Sequence, residues 1–241
     1  MSEPVALITG AARRIGATIA ETLHSEGYRV VIHCRRSRND ADMLAMQLNG
    51  HREQSADVVS GDLLVQDELE QIARDTLQAF GRLDLLVNNA SSFHPTEIGS
   101  TSREQWNDLV GSNFQAPYFL VQALLPALRE SRGSIVNLLD IHAEIPMPGH
   151  AVYSAAKAGL HMLTRAMAKE LAPDVRVNGV APGAILWPES GSSVTEREKI
   201  VADTPMKRTG TPEDIANAVM FLAGSGFITG QIIAVDGGRS L

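Results

Sequence analysis

Three residues of this chain, a tyrosine, a lysine and an aspartate, have the types and spacing that proton transfer needs. Tyr153 and Lys157 are four residues apart in the stretch LLDIHAEIPMPGHAVYSAAK, which spans positions 138–157. Side chains at that spacing share one face of a helix. A phenol has an ordinary pKa of about 10, and a nearby ammonium group favours its ionised form. The pair therefore predicts a tyrosine that gives or takes a proton.

Asp140 stands thirteen residues before Tyr153 and adds a carboxylate to this pair. A nearby anion disfavours tyrosinate, so Asp140 would oppose Lys157 and keep Tyr153 protonated, ready to donate. The three groups would titrate as a coupled set, through which Asp140 could pass protons from solvent. The alternative is a strand-end aspartate that only caps the following turn.

A glycine-containing turn near the start of the chain predicts a phosphate-binding site. In VALITGAARRIG, residues 5–16, Gly10 permits a tight turn and Gly16 permits close packing of the following helix. The amides at that helix N-terminus can hold a pyrophosphate. Arg14 occupies the middle position, where a glycine would be expected. It could pair with phosphate or reach over a nicotinamide pocket, or it could be a solvated arginine at the helix start.

The end of the second predicted strand favours NADP over NAD. Its sequence is HCRRS, residues 33–37. NAD sites usually place a carboxylate here for the ribose 2′-hydroxyl, whereas two arginines and a serine suit a 2′-phosphate. The alternative is a solvated basic loop. Asp62 and Leu63 follow the third predicted strand, where they are placed to meet the adenine.

Apolar runs that alternate with helical patterns predict the elements that position these residues. The alternation favours an α/β fold with a parallel sheet covered on both faces. The segment 184–204 carries no such pattern and is expected to be an irregular loop that covers a substrate. The predicted strands lie in residues 5–10, 29–34, 57–62, 83–90, 133–140, 175–183 and 231–238. The predicted helices lie in residues 15–27, 66–81, 103–131, 151–172 and 211–224.

Composition limits the partners that the chain could have. Its 241 residues suffice for one large α/β domain, and a net charge of −7 argues against nucleic-acid binding. The lone cysteine, Cys34, excludes an intrachain disulfide and is compatible with the cytoplasm, where we expect the protein. Neither a signal peptide nor an apolar run long enough for a bilayer is visible, so no membrane association is expected. The seven histidines lack close ligand spacing, and no metal site is predicted.

The order and spacing of these motifs resemble the short-chain dehydrogenase/reductase superfamily over nearly the whole chain. Further matching motifs are NNA at 88–90, Asn113, and the Pro182–Gly183 pair. The resemblance implies a single domain over residues 1–241, with a Rossmann-type doubly wound sheet of seven parallel strands. It also implies that Tyr153 handles the proton and that Lys157 lowers its pKa and binds the nicotinamide ribose. Asn113 would support a water relay, and the protein would form a homotetramer, with the helix around Tyr153 and the C-terminal VDGGRSL near its interfaces.

Three departures from the common pattern of that superfamily resemble the pteridine reductases. They are Arg14 in place of glycine, NNASSF (88–93) in place of NNAG, and Asp140 in place of serine. This resemblance implies that Phe93 stacks a pterin against nicotinamide, although a core phenylalanine is the alternative. It further implies that Arg14 and Ser91 touch substrate and cofactor phosphate, with Asp140, Tyr153 and Lys157 as the proton-transfer set. The residues that would hold the 2′-phosphate are His33, Arg36 and Ser37.

The predicted function is NADPH-dependent reduction of dihydropterins, and of oxidised pterins or dihydrofolate as further candidates, to tetrahydro forms. The first alternative is a general carbonyl or 3-oxoacyl-thioester reductase, and the second is a non-catalytic NADP-binding sensor. Leu186 and Trp187, in the 184–204 segment, would either cover the substrate or only pack the loop. The predicted cofactor contacts are Gly10, Arg13, Arg14, Ile15, Gly16, His33, Arg35, Arg36, Ser37, Asp62, Leu63, Asn89, Ala90, Ser91, Tyr153, Lys157, Pro182 and Gly183. The predicted substrate contacts are Arg14, Ser91, Phe93, Asp140, Tyr153, Leu186 and Trp187.

Overall fold

Seven parallel strands form one sheet, as the sequence predicts. The computed structural model describes residues 3–187, 191 and 193–241. The strand order across the sheet is β3-β2-β1-β4-β5-β6-β7, and every pairing is parallel. This is the Rossmann-type doubly wound arrangement. The strands are β1 (Val5–Ile8), β2 (Arg29–Cys34), β3 (Ala56–Ser60), β4 (Leu85–Asn88), β5 (Ser134–Leu138), β6 (Arg176–Pro182) and β7 (Ile232–Val235).

Helices cover both faces of the sheet and bury its apolar side chains. The helices are α1 (Arg14–Ser25), α2 (Arg38–His51), α3 (Gln66–Phe80), α4 (Arg103–Val110), α5 (Ala116–Glu130), α6 (Ala151–Leu171), α7 (Val194–Asp203) and α8 (Pro212–Gly224). One core cluster joins α1, α2 and α8 to the sheet, and a second joins α3, α5 and α6 to it. Because the central strands are buried on both faces, β1, β2, β4 and β5 consist mostly of apolar residues, whereas the outer strands β3 and β7 are partly exposed. Within the described ranges, no helix combines the length and apolar character that crossing a bilayer requires.

The strand order places a crevice at the carboxyl edge of the sheet. The chain runs outward from β1 through β2 to β3 on one side, and then from β4 to β7 on the other. The loops after β1 and β4 therefore diverge, and ligands of open α/β sheets bind in the opening between them.

Two helices were absent from the sequence prediction. The expectation of an irregular segment over 184–204 was wrong for α7, which begins with a capping box between Ser193 and Glu196. That pattern, Ser-x-x-Glu, was visible in the sequence but lacked an apolar stripe after it. Helix α2 was also missed, although its buried Ala41, Leu44, Ala45 and Leu48 have helical spacing. The exposed Met43 and Met46 reduce the contrast between its apolar and polar faces.

The helix predicted over 103–131 is interrupted by a π-helical turn at 111–115. In this turn, side chains donate hydrogen bonds to backbone carbonyl groups of α4. The Asn113 side-chain amide donates to the Leu109 carbonyl at 3.0 Å, and the Ser112 hydroxyl donates to the Asp108 carbonyl at 2.7 Å. Pro117, at the start of α5, has no N–H to continue the regular pattern. π-Turns often mark functional sites, and this one carries Asn113.

Candidate active site

A cavity of about 820 Å³ opens at the crevice between the loops after β1 and β4. Most of the residues predicted for the site line it. These residues are Gly10, Arg13, Arg14, Ile15, Gly16, His33, Arg35, Asp62, Leu63, Asn89, Ala90, Ser91, Phe93, Asp140, Tyr153, Gly183, Leu186 and Trp187. The predicted residues that do not line it are Arg36, Ser37, Asn113, Lys157 and Pro182.

The turn after β1 has the close packing that a pyrophosphate cradle requires. Gly10 adopts φ +62°, and a Cβ there would lie 3.0 Å from the Ala90 Cα. A Cβ on Gly16 would lie 2.5 Å from the Gly10 carbonyl oxygen, so only glycine allows α1 to start against this turn. The Asn89 amide donates to the carbonyls of Thr9 and Gly10 at 2.8 and 3.1 Å. The turn is thus held rigidly with the helix N-terminus facing the cavity, which fits a bound dinucleotide.

Arg14 takes the left-handed backbone conformation that the usual glycine would adopt without cost. Its φ is +56°, a region that costs a non-glycine residue of order 1–3 kcal/mol. Its guanidinium lines the cavity and donates to the Trp187 carbonyl at 3.1 Å. This bond ties the phosphate turn to the segment after β6. Arg14 is exposed at the start of α1, as the solvated-arginine alternative expects, and it also joins two walls of the cavity.

His33 supports the turn instead of offering a donor to a phosphate. It is buried, and its Nδ1 accepts from the Gly10 amide at 3.2 Å while its Nε2 lies 3.1 Å from the Gly61 carbonyl. Burial lowers the pKa of this imidazole to about 4, so the ring is neutral and its one N–H faces Gly61. Both ring nitrogens of His33 are thus engaged by backbone groups, and its contact with the 2′-phosphate stays a prediction for a residue that lines the cavity.

The arginines near the predicted 2′-phosphate site differ in whether they already pair with a carboxylate. Arg35 lines the cavity and lies 3.5 Å from the Asp62 carboxylate, while Arg13 pairs with Asp40 at 2.5 Å. Arg36 is exposed, and among the described residues no carboxylate lies within ion-pair distance of it. Ser37 precedes α2 and its side chain makes no capping bond. Arg36 and Ser37 thus lie outside the cavity lining, and no described acidic side chain competes for the Arg36 guanidinium.

Tyr153 and Asp140 are joined by a short hydrogen bond at the cavity wall. The Tyr153 hydroxyl donates to Asp140 Oδ2 at 2.7 Å. Asp140 Oδ1 accepts from the His142 amide at 2.8 Å and so also caps the short helical turn 141–143. Asp140 therefore caps the turn with one oxygen, as the structural alternative expects, and accepts from Tyr153 with the other, while its part in proton transfer stays a prediction.

This arrangement keeps Tyr153 in its phenol form. Burial and the Asp140 carboxylate both raise the pKa of Tyr153 well above its ordinary value, and only 5% of the residue is exposed. Burial lowers the pKa of Lys157 to about 8, an effect that Asp140 opposes. The Lys157 ammonium donates to the Leu138 carbonyl at 2.8 Å and lies 5.8 Å from the centre of the Tyr153 ring. Asp140 is thus the charge that controls the tyrosine.

Asn113 carries an unused acceptor next to this group of residues. Its amide nitrogen donates to the Ser92 carbonyl at 2.8 Å and to the Leu109 carbonyl, which fixes the side chain. Its Oδ1 is buried and has no hydrogen-bond partner among the described residues. Because a buried polar atom without a partner is costly, this oxygen suits an ordered water molecule. Such a water would match the relay that the sequence resemblance implies.

Phe93 belongs to the cavity and not to the core. It is 43% exposed, stacks on His150 at 4.7 Å between ring centres, and meets Tyr153 edge-on at 4.9 Å. The alternative of a core phenylalanine was wrong, because the loop after β4 directs the ring outward beside Tyr153. An aromatic face next to a proton donor suits a flat heteroaromatic substrate.

Leu186 and Trp187 line the cavity opposite the turn after β1. The Trp187 carbonyl accepts from Arg14, and the Arg197 guanidinium lies 5.3 Å from the centre of the Trp187 indole. Trp187 therefore joins the cavity wall to α7. Residues 188–190 and 192, which belong to the expected covering loop, lie outside the described residues.

Several cavity residues were missed by the sequence analysis. Arg239 follows β7, the last strand, and the carboxyl-edge rule for parallel strands could have found it. His150 does not line the cavity itself, but it stacks on Phe93, and no sequence pattern indicated that contact. The other missed lining residues are Leu64, Ser92, Ser112, Ile141, His142, Met147, Ala184, Ile185 and Ile200.

A Rossmann-type sheet, a phosphate turn and a Tyr–Lys pair at the crevice define a dinucleotide-dependent oxidoreductase. The family model described as enoyl-(acyl carrier protein) reductase matches residues 10–240. The chain belongs to the short-chain dehydrogenase/reductase superfamily, whose reductases use a nicotinamide dinucleotide.

Similar proteins include reductases of two substrate classes. Pteridine reductase 1 of Leishmania tarentolae is 37% identical, with 99% of this chain and 96% of the relative aligned. A putative ketoacyl reductase of the granaticin polyketide synthase from Streptomyces violaceoruber is 35% identical over 99% of this chain and 96% of that protein. The 3-oxoacyl-(acyl-carrier-protein) reductase of Staphylococcus epidermidis is 34% identical over 97% of each chain.

Proposed function

We propose that this protein reduces dihydropterins to their tetrahydro forms with NADPH, and that oxidised pterins and dihydrofolate are further candidate substrates. The observation that carries this proposal is the 2.7 Å hydrogen bond from Tyr153 to Asp140, directly beside the exposed ring of Phe93. An aromatic platform and a protonated phenol are the two groups that reduction of a flat ring C=N bond requires. The 37% identity to a pteridine reductase supports the same substrate class.

The residues of this chain have distinct parts in that reaction. When bound, the dinucleotide supplies the hydride. Tyr153 would give its proton to the ring nitrogen next to the carbon that receives the hydride, and Asp140 would return a proton to Tyr153 from solvent. The Lys157 ammonium uses one donor on the Leu138 carbonyl and keeps two for the nicotinamide ribose. The unpaired Oδ1 of Asn113 would hold a water for the relay.

Reduction of a 3-oxoacyl thioester is the main rival, because two of the similar proteins are ketoacyl reductases. A carbonyl oxygen is bound well by a serine hydroxyl, which donates a hydrogen bond, whereas an ionised carboxylate only accepts. Asp140 stands where that serine would be expected, and its oxygens already engage Tyr153 and His142. A non-catalytic NADP sensor is the second rival, against which the assembled Tyr153, Lys157 and Asn113 argue.

Steady-state NADPH oxidation separates these functions. The panel comprises quinonoid, dihydro and oxidised pterins, dihydrofolate, and an acetoacetyl thioester. We expect the highest kcat/KM with a dihydropterin. A preference for the thioester would establish the first rival, and no turnover with any compound despite NADPH binding would establish the sensor.

NADPH preference predicts a specific effect of Arg36→Ala. The variant should raise the KM for NADPH far more than that for NADH, because two or three charge-assisted bonds to the 2′-phosphate, each worth about 1.5–3 kcal/mol, are lost. The matched control is Arg74→Ala, an exposed arginine on α3 that pairs with Gln71 and Glu70. Equal use of both cofactors by the unmutated protein would contradict the proposed preference.

Phe93→Ala should weaken pterin binding by about 1–3 kcal/mol and leave NADPH affinity nearly unchanged. The loss reflects the stacking face that the 43% exposed ring offers to the cavity. Titration of the NADPH-loaded enzyme with a dihydropterin measures it, and Met46→Ala, which shortens an exposed apolar side chain on α2 outside the cavity, is the control. A variant that unfolds or loses NADPH affinity would show that Phe93 serves packing.

The expected homotetramer is part of the same proposal. Large apolar side chains near the open edge of β7, including Phe221 and Phe227, are exposed and support an interface there.

A further inference from the structure

Arg239 brings a cation into the cavity from the edge of the sheet opposite the predicted phosphate end. It lies in the C-terminal turn after β7, whereas Arg35 follows β2. Four strands, β1, β4, β5 and β6, lie between β2 and β7 in the sheet. The turn packs beside the end of β6, where a Cβ on Gly183 would meet the Asp236 Cβ at 2.6 Å. Arg239 therefore reaches the substrate half of the cavity and not its adenine half.

The positive charge of Arg239 is not neutralised by any described acidic side chain. Its Nη1 donates to the Ile200 carbonyl at 3.2 Å, which orients the guanidinium and leaves other donors. The nearby Asp236 carboxylate instead accepts from the amides of Gly238 at 2.9 Å and Ser240 at 2.7 Å. Within the described ranges, no carboxylate lies within ion-pair distance of Arg239. A half-buried guanidinium that has free donors and no described acidic partner favours the binding of an anion.

Apolar residues share this part of the cavity wall. Leu186, Trp187 and Ile200 all line the cavity, and the Ile200 carbonyl is the group that orients Arg239. Phe93 and Tyr153 lie on the loop after β4 and on α6, at the reacting end. A ligand that extends from Phe93 toward Arg239 would therefore pass apolar surface before it meets the cation.

We infer that Arg239 is a specificity-determining residue that binds an anionic group on the tail of the substrate. This inference rests on the proposed pterin reduction and deepens it, since it selects pterins whose side chain ends in a negative charge. The anion could be a carboxylate, as on the glutamate of dihydrofolate, or a phosphate ester on a pterin side chain. A guanidinium binds both through paired N–H donors.

The test compares Arg239→Gln with the unmutated enzyme on three substrates: dihydrobiopterin, whose side chain is neutral, dihydrofolate, and dihydroneopterin monophosphate. We expect kcat/KM for at least one anionic substrate to fall about tenfold to hundredfold, through KM, while the value for dihydrobiopterin changes by less than about twofold. Arg239→Lys should recover part of the loss, because it keeps the charge without the paired donors. Lys199→Gln removes an exposed charge from α7 outside the cavity and should leave all three values unchanged.

Each outcome assigns the result to one hypothesis. A loss confined to dihydrofolate identifies a carboxylate site, and one confined to the phosphate ester identifies a phosphate site. Three results would overturn the role of Arg239: an equal fall of kcat/KM with all three substrates, no fall with either anionic substrate, or no turnover of the anionic substrates by the unmutated enzyme. In each case, turnover of dihydrobiopterin by the unmutated enzyme would still uphold the proposed function. If the unmutated enzyme reduces none of the three, the proposed function fails and the inference fails with it.

Discussion

Replacing Tyr153 by phenylalanine is expected to abolish most turnover while the fold and NADPH binding persist. The hydroxyl makes one described hydrogen bond, to Asp140, and the ring keeps its buried position when that hydroxyl is removed. A general acid typically contributes about 10²–10⁴-fold to the rate. We therefore expect kcat for a dihydropterin to fall by about that factor, with the dissociation constant of NADPH unchanged.

The control for this experiment is Tyr118→Phe, an identical chemical change on an exposed tyrosine of α5 whose ring meets Phe119 edge-on. That variant should retain full activity. A near-normal kcat in Tyr153→Phe would mean that the proton comes from elsewhere, most directly from Asp140 through water.

Asp140→Ser is expected to cut dihydropterin reduction by about 10²-fold or more without weakening NADPH binding. The serine hydroxyl cannot return protons to Tyr153 as a carboxylate can. It can, however, donate a hydrogen bond to a carbonyl oxygen, so residual activity should shift toward ketone and thioester substrates. The comparison of kcat for a dihydropterin and for an acetoacetyl thioester in both proteins measures this shift.

The same substitution should move the alkaline side of the pH profile. Asp140 raises the pKa values of both Tyr153 and Lys157, so removing its charge lowers both. In the unmutated enzyme Lys157, with a pKa of about 8, is the first of the two to lose its proton as pH rises, and kcat should decline above that pH. In Asp140→Ser the decline should begin at a lower pH. An unchanged rate and profile between about pH 5 and pH 10 would reduce Asp140 to the residue that caps the turn at His142.

The fold was largely predictable because the central strands β1, β2, β4 and β5 are buried on both faces and are mostly apolar. The outer strands β3 and β7 are partly exposed, but their short valine-rich and isoleucine-rich runs still indicated strands, and the phosphate turn was visible from Gly10 and Gly16. Helix α7 was missed because none of its described residues is buried, which removes the periodic signal. The π-turn at 111–115 was missed because it depends on side-chain hydrogen bonds from Ser112 and Asn113 that no periodicity encodes.

The candidate site was predictable where one motif carries a role and unpredictable where the role arises from contacts between distant segments. The spacing of Asp140, Tyr153 and Lys157 already indicated their proximity. His33 was expected to face a phosphate, but burial turned its ring toward the backbone of Gly10 and Gly61. Arg239 stands 225 positions after Arg14 in the numbering, and only the sheet brings both to one cavity.

The central claim is that the Asp140–Tyr153 pair adapts this reductase to a pterin ring, and a single-turnover experiment tests it most directly. The NADPH-loaded enzyme is mixed with a dihydropterin or with an acetoacetyl thioester at equal concentration, and loss of the reduced nicotinamide signal is followed. We predict that the first turnover is faster with the dihydropterin by about 10²-fold or more, because only that substrate matches both Phe93 and the protonated Tyr153. A faster first turnover with the thioester would contradict the account.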